Sequence, residues 1–153
     1  MKTTIIPFEP RYAKDFASLN IEWLEKFFET EPHDAALLEQ CEELIINKGG
    51  HIFFAKVGSE IAGTFSLIKV EEGVYELGKM AVSPQFQGHR IGQQLLQFCV
   101  ELSKDQGWKK LILYSNKILE SAIHIYQKYG FIEIPLEDTP PYKRSNIKME
   151  LVL

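Results

Sequence analysis

The amino-acid sequence predicts one α+β domain with a mixed sheet. Two helical patterns come first, three strand-like segments joined by tight turns follow, and a strand, helix, strand crossover comes after them. The chain has 153 residues, which is long enough to bury a substantial core without metal or disulfide support. No repeat, low-complexity tract or linker divides it, so we expect a single domain over residues 1–153.

Charge and hydropathy exclude two classes of partner. The chain carries 17 Lys and Arg against 21 Asp and Glu, a formal charge of -4, and this offers no basic field for a nucleic acid. No run approaches the roughly 18 apolar residues of a membrane span, and the N-terminus lacks a signal-peptide core. We therefore expect a cytoplasmic protein that binds neither nucleic acid nor membrane.

Helical spacing dominates the N-terminal third. A short strand from Met1 to Phe8 is followed by apolar residues three and four apart, which predict a first helix: Tyr12, Phe16, Leu19, Trp23 and Phe27. A second helix is predicted behind Asp34 as its N-cap, ending at Gly49 and Gly50. The aromatic residues Trp23, Phe27 and Phe28 are interpreted as core by this periodicity.

The apolar period changes at Ile52. Three segments rich in β-formers, Ile52–Val57, Ile61–Val70 and Val74–Val82, are separated by Gly58-Ser59-Glu60 and Glu71-Glu72-Gly73. Tight turns of this kind join antiparallel neighbours. The three segments therefore predict an antiparallel meander.

The C-terminal half alternates helices and strands. Ile91, Leu95, Phe98 and Leu102 indicate a helix, and Gly107 ends it. A strand from Lys109 to Tyr114, a helix from about Leu119 to Tyr129 and strands at 131–134 and 147–153 complete the order. The crossover from Val82 to Lys109 is long enough for a right-handed parallel connection.

Cysteine and histidine usage gives no sign of a metal site. Cys41 and Cys99 each lie in an amphipathic stretch without ligand spacing, so we expect reduced, buried thiols. The four histidines are scattered through the chain. We expect no metal.

The segment Gln87-Gly88-His89-Arg90-Ile91-Gly92 joins a strand end to a helix start. Free amides and the positive dipole end of a helix suit a phosphate, and glycines let the backbone approach a ligand closely. The spacing matches neither a Walker loop nor the dinucleotide fingerprint. On its own, the segment is equally compatible with an ordinary loop before a helix.

Together with the segment Ala122-x-x-x-Tyr126-x-x-x-Gly130-Phe131 and the strand Tyr75–Val82, this loop resembles the GCN5-related N-acetyltransferase (GNAT) superfamily. The resemblance implies a mostly antiparallel mixed sheet flanked by about four helices, in which two parallel strands splay apart around acetyl-CoA. It implies that acetyl-CoA is the co-substrate of direct acetyl transfer to a primary amine.

The resemblance also implies which residues contact acetyl-CoA. The strand residues offer backbone groups to the pantetheine arm and the loop wraps the pyrophosphate, so the expected cofactor-binding residues are Met80, Ala81, Val82, Gln87, Gly88, His89, Arg90, Ile91, Gly92, Gln93 and Asn116. Two positions depart from the family pattern. Arg90 replaces the first glycine of the usual loop, where we expect right-handed helical backbone, and Leu119 stands where the family often has Asn, with Asn116 upstream.

Acetyl transfer to an amine requires a base and benefits from an acid. An amine with a pKa near 10.4 must lose a proton to attack a thioester, and the leaving thiolate gains one. By resemblance, Glu76 is the candidate base, on one alternating strand face with Gly78, Met80 and Val82. Tyr126 is the candidate proton donor. The alternatives are a solvated strand Glu and a packed helix Tyr.

Three hypotheses about function remain open from the sequence. The chain is an acetyl-CoA-dependent N-acetyltransferase, or an acyl-CoA-binding regulatory module without turnover, or an interaction protein that shares only the fold. The acceptor is a small-molecule or peptide amine, and the acidic charge favours a cationic one. The acids Glu29, Glu31 and Asp34 would suit such an amine but are interpreted as solvated.

The apolar last strand, Ile147–Leu153, would suit pairing across a homodimer if it lies at a sheet edge. The alternative is that its side chains fill the core.

Overall fold

The computed structural model describes residues 2–153, and their elements follow the predicted order. The strands are β1 (Thr3–Pro7), β2 (His51–Val57), β3 (Glu60–Glu71), β4 (Val74–Val82), β5 (Lys110–Ser115), β6 (Ile132–Ile134) and β7 (Ile147–Val152). The α-helices are α1 (Ala13–Phe27), α2 (Pro32–Glu39), α3 (Ile91–Asp105) and α4 (Glu120–Lys128). The first strand was predicted from Met1, which lies outside the described residues.

Across residues 2–153, the strands form one sheet of seven in the order β1-β2-β3-β4-β5-β7-β6. β4 and β5 are parallel, and the other neighbours are antiparallel. The parallel pair is joined by the crossover through α3, as the length of that connection predicted. The mixed, mostly antiparallel α+β architecture is therefore confirmed.

β7 lies inside the sheet and not at its edge. It pairs with β5 along one side, and on the other side Ile132–Ile134 of β6 pairs with Lys148–Glu150. Its inward-facing residues Ile147, Met149 and Leu151 are buried. Of the two alternatives for this strand, the structure supports the one in which its side chains fill the core, because β6 pairs with the side that was considered for pairing across a dimer.

Each face of the sheet is covered by a separate apolar cluster. Under α3, a cluster that includes Phe65, Leu77, Leu95, Cys99 and Met149 fills one side. Under α1 and α2, a second cluster fills the other side with Phe16, Leu24, Leu38, Cys41 and Phe54. Both cysteines are free and buried, as predicted.

α2 begins two residues before the predicted N-cap. Asp34 occupies its third position, where its Oδ2 accepts a hydrogen bond from the backbone N–H of Glu31 at 3.0 Å. The helix also ends earlier than predicted, and the chain continues through a π-helical turn at Glu42–Ile46 to Gly49, which has φ +92°. Side chains at the third position of a helix can satisfy the free N-terminal amide of the cap residue, which explains the shift.

Asp34 is the centre of an ion cluster that also contains Lys79, Arg144 and Glu31. Asp34 is completely buried. Its Oδ1 accepts hydrogen bonds from Lys79 Nζ at 2.5 Å and Arg144 Nη2 at 2.9 Å, and its Oδ2 accepts one from Arg144 Nη1 at 2.6 Å. The Glu31 carboxylate accepts the backbone N–H groups of Lys143 and Arg144. The cluster therefore ties α2 and β4 to the loop that precedes β7.

The expectation that the acids between α1 and α2 are solvated is wrong for Glu31 and Asp34, and Glu29 is exposed as predicted. Burial alone would raise the pKa of Asp34. Hydrogen bonds from Arg144 and the charge of Lys79 outweigh burial and lower that pKa to about 2. Asp34 is therefore ionised at neutral pH despite its complete burial.

No helix within residues 2–153 has the length and apolar character needed to cross a bilayer.

The ion cluster predicts a large cost for Asp34→Asn. The substitution leaves the buried Lys79 without its counter-charge and leaves Arg144 with Glu31 alone. Breaking a buried pair in this way costs about 3–5 kcal/mol of unfolding free energy. Urea denaturation of both proteins measures the difference. Since the folded pKa of Asp34 lies below its ordinary value, the difference is present above pH 4 and shrinks as the pH falls toward 2.

Glu133→Gln is the matched control, because Glu133 and Lys117 form an exposed pair with 57% and 60% of their side chains accessible. Exposed pairs contribute about 0–1 kcal/mol. An Asp34→Asn protein as stable as the Glu133→Gln protein would contradict the structural role of the cluster.

Candidate functional site

The two parallel strands separate halfway along their length. β4 and β5 pair only at Val74–Glu76 with Lys110–Ile112. Beyond those pairs they enclose a cavity of about 480 Å³. Its walls are Leu77–Val82 of β4, Leu113–Ser115 of β5, part of α1, the segment before α3, and α4. A cleft between splayed parallel strands is the place where the sequence resemblance predicted the pantetheine arm.

A β-bulge shapes the β4 wall of the cavity. Ser66 of β3 is opposite Gly78 and Thr64 is opposite Ala81, so Lys79 and Met80 together face Phe65 alone. Lys79 has φ +52°, which is unusual for a residue with a side chain. A bulged residue falls out of the ladder, so part of the β4 backbone is free for a ligand here.

The bulge corrects the predicted strand face. Alternation predicted Glu76, Gly78, Met80 and Val82 on one face. In the structure, Met80 packs against the same cluster as Leu77, three residues earlier. The inserted residue at Lys79 breaks the period of two.

The loop before α3 carries the anion-binding features predicted for it. Gly88 has φ +85°, and nothing lies within 4 Å of where a Cβ would be. The first backbone N–H that bonds back into the helix is that of Gln94, to the Arg90 carbonyl, and no side chain caps α3. The earlier amides of the first turn are therefore available to an anion at the cavity.

The expected right-handed backbone at Arg90 is wrong. Arg90 is the N-cap of α3 and has φ +59° and ψ +25°, in the left-handed region. The chain must reverse direction there to enter the helix, and a glycine would do so without the roughly 1–2 kcal/mol penalty of a side chain. Its guanidinium is exposed at the cavity rim.

Ten of the eleven predicted cofactor residues line the cavity. They are Met80, Ala81, Val82, Gln87, Gly88, Arg90, Ile91, Gly92, Gln93 and Asn116. His89 is exposed and does not line it. The amide of Asn116 is engaged on both ends, since Nδ2 donates to the Arg144 carbonyl at 2.7 Å and Oδ1 accepts from the Ile118 N–H at 2.9 Å. Asn116 therefore shapes the wall by fixing the loop of Arg144.

Tyr126 lies on α4 and lines the cavity. Its ring packs edge-on against Phe131, with ring centroids 5.8 Å apart. Burial, with a smaller contribution from Cys99, raises the pKa of Tyr126 to about 12. Because of this raised pKa, the hydroxyl remains protonated at neutral pH. It makes no hydrogen bond to another side chain within residues 2–153, so it is available as a donor.

Glu76 lies behind the cavity wall. It is 9% exposed and does not line the cavity, and its Oε2 accepts a hydrogen bond from the Tyr142 hydroxyl at 3.1 Å. A Cβ on Gly78, which does line the cavity, would lie 3.5 Å from the same oxygen. Burial raises the pKa of Glu76, although the Tyr142 hydrogen bond and the charge of Lys79 oppose this. The carboxyl therefore lies close to Gly78, a lining residue without a side chain.

Sequence reasoning missed the wall opposite the phosphate loop. Trp23 and Phe28, predicted as core, are partly exposed and line the cavity together with Lys79, Arg144 and Ser145. Their spacing could not separate a cavity wall from a core face. The loop before β7 contributes Arg144 and Ser145 to the lining.

Among residues 2–153, no group of three or more His, Cys, Asp or Glu side chains is arranged to hold a metal ion. The donors at the site are amides, hydroxyls and cationic side chains.

Comparison with known proteins agrees with this geometry. Residues 16–131 match the model of the acetyltransferase (GNAT) family. N-acetyltransferase family 8 member 2 of Rattus norvegicus is 28% identical over 91 residues, covering 56% of this chain and 40% of the relative. The chain thus spans less than half the length of that relative.

Two solved structures share the fold along nearly the whole chain. A GNAT-family acetyltransferase of Staphylococcus aureus Mu50 has a TM-score of 0.85 at 24% identity, covering 97% of this chain and 98% of its own. A spermidine N-acetyltransferase of Vibrio cholerae, in complex with CoA and spermine, has a TM-score of 0.76 at 18% identity, covering 98% and 95%. Since the family model spans residues 16–131, which is most of the sequence, this chain belongs to the GNAT family of acetyltransferases.

Proposed function

We propose that this chain transfers the acetyl group of acetyl-CoA directly to the primary amine of an acceptor. The observation that carries the proposal is a single cavity lined by the uncapped N-terminus of α3, by β4 and β5, and by Tyr126 of α4. The helix terminus suits a pyrophosphate, and the free backbone at the β4 bulge suits the amides of a pantetheine arm.

The transfer forms one bond and breaks one. The acceptor nitrogen bonds to the acetyl carbonyl carbon, and the bond from that carbon to the CoA sulfur breaks. The amine proton passes to Glu76, by way of a water at Gly78, and Tyr126 gives a proton to the departing sulfur. Exchange with solvent restores both groups, so the products are the N-acetylated acceptor and CoA with a free thiol.

The environments of the two groups suit these roles. Burial raises the pKa of Glu76 above its ordinary value, which makes its carboxylate a stronger base. The pKa of about 12 at Tyr126 keeps the hydroxyl protonated at working pH. An acyl-CoA-binding module without turnover would need neither group.

The phosphate role of the loop predicts weaker acetyl-CoA binding by Gly88→Asp. An aspartate there places a negative charge beside the expected pyrophosphate, and we expect the Kd to rise at least tenfold by calorimetric titration. Gly107→Asp is the matched control, because Gly107 also has a positive φ, of +71°, and open space around its Cβ position but lies outside the cavity. Equal affinities for the two variants would remove the loop from the binding site.

The role of Tyr126 predicts a change in kcat alone. Tyr126→Phe removes the proton donor and keeps the ring, so we expect kcat to fall about 10²-fold or more while acetyl-CoA affinity is retained. Thiol release measures the rate. Tyr129→Phe, which alters a neighbouring tyrosine outside the cavity, should retain wild-type turnover. Wild-type kcat in Tyr126→Phe would exclude proton donation by this residue.

The role of Glu76 predicts the direction of a pH shift in Tyr142→Phe. The Tyr142 hydrogen bond lowers the pKa of Glu76, and its removal raises that pKa. Since a base acts when deprotonated, the rising limb of the rate profile moves to higher pH in Tyr142→Phe and is lost in Glu76→Gln. Profiles with an unmoved rising limb in both variants would assign the base elsewhere.

A further inference from the structure

The half of the cavity away from the phosphate loop has an unusual charge distribution. Its lining residues come from α1 on one side and from β4 and the loop before β7 on the other: Asn20, Trp23, Leu24, Phe28, Lys79, Arg144 and Ser145. The charged side chains among them, Lys79 and Arg144, are both cationic. Within residues 2–153, no aspartate or glutamate lines the cavity at either end.

The carboxylates that balance these cations stand behind them. Asp34 is completely buried and the Glu31 side chain is 11% exposed, and neither lines the cavity. The cluster as a whole is close to neutral. Of its cations, Arg144 has the more accessible side chain, at 17% exposed, whereas the side chain of Lys79 is 4% exposed. The carboxylate of a ligand would therefore meet the guanidinium of Arg144 and no competing carboxylate of the cavity lining.

Arg144 retains hydrogen-bonding capacity. It uses Nη1 for Glu31 and Asp34 and one N–H of Nη2 for Asp34. Its Nε and the second N–H of Nη2 have no side-chain acceptor within residues 2–153. Lys79 donates to Asp34, and its side chain is 4% exposed, so it supports Asp34 from behind. The ring of Tyr142 supports both, at 4.4 Å from Lys79 Nζ and 4.6 Å from Arg144 Cζ.

The opposite wall is apolar and aromatic. The Trp23 and Phe28 rings contact each other with centroids 5.8 Å apart, and both are only partly covered by protein. Leu24 completes this surface and is 2% exposed. Aromatic rings of this kind bind apolar side chains through large contact area.

We propose that the acceptor is an α-amino acid with an aromatic or large aliphatic side chain. Its carboxylate pairs with Arg144, its side chain packs on Trp23 and Phe28, and its α-amine receives the acetyl group. The inference rests on the acetyl transfer proposed above and supplies its substrate class. It reverses the expectation of a cationic acceptor drawn from net charge, because the carboxylates near this end of the cavity are paired behind the cations.

The test compares an amino acid with the amine that lacks its carboxylate and with a polyamine. Thiol release from acetyl-CoA is measured with L-phenylalanine, with phenethylamine, which lacks only the carboxylate, and with spermidine. We expect kcat/KM for phenylalanine to exceed that for each of the other two at least tenfold. A preference for phenethylamine or spermidine, or no release with phenylalanine by a protein that binds acetyl-CoA, would overturn the amino-acid class.

Variants of the lining residues test which side chains recognise the acceptor. Arg144→Gln should bring the phenylalanine-to-phenethylamine ratio close to one with acetyl-CoA affinity retained, and Lys143→Gln, which removes a neighbouring exposed charge, should leave the ratio unchanged. If Arg144→Gln fails to fold, Trp23→Ala serves instead and should reduce the preference for phenylalanine over alanine. An unchanged preference there contradicts the proposal.

Failure of the acetyl-transfer proposal has a separate signature. If the wild-type protein does not bind acetyl-CoA by calorimetry, acetyl transfer and the acceptor class both fall. If it binds acetyl-CoA and releases thiol with spermidine alone, acetyl transfer stands and the amino-acid class falls.

Discussion

The buried pairing of Asp34 with Lys79 and Arg144 is the constraint on which the reactive end of the cleft depends. Its members are far apart in sequence, and each belongs to a different wall segment or its support: α2, the β4 bulge and the loop before β7. Lys79 holds its ion pair from a backbone at φ +52°. Strained backbone of this kind persists only where surrounding contacts over-determine it, and the double ion pair supplies such contacts.

A buried ion pair is weak evidence for stability in itself, because desolvation offsets much of the attraction. Its value here lies in geometry. The bulge that Lys79 anchors lies where β4 departs from β5, and Arg144 brings the C-terminal loop over the same opening. The same bonds also determine the charge of the walls, since they keep Asp34 and Glu31 out of the cavity lining and leave Arg144 in it.

Different groups serve the two parts of the cleft: backbone amides at the start of α3, and titratable side chains near the reacting atoms. At the α3 end, backbone amides and the open space at Gly88 provide an anion site that needs no buried cationic side chain. Elsewhere in the cleft, burial raises the pKa of two titratable groups. The higher pKa makes the Glu76 carboxylate a stronger base, and it keeps the Tyr126 hydroxyl protonated.

Local pattern was enough to predict the elements and the loop. The bounds of β4, Val74–Val82, follow from its turn residues and Pro84. The ten lining residues among the expected cofactor contacts came from the family resemblance and not from periodicity. Pairings over long separations are invisible to local pattern, so Asp34 was assigned to solvent. Periodicity cannot distinguish a cavity wall from a core face, so Trp23 was assigned to the core. The left-handed backbone of Arg90 depends on the chain reversal before α3. The interior position of β7 depends on the order of the strands in the sheet.

Hydrogen exchange on the full chain, with and without acetyl-CoA, tests most directly whether the opening between β4 and β5 is the binding cleft. We predict slower exchange at the amides of Met80–Val82 and of residues 87–93, with exchange in β1 and β2 unchanged. Protection confined to other segments, or none at saturating acetyl-CoA, would contradict it.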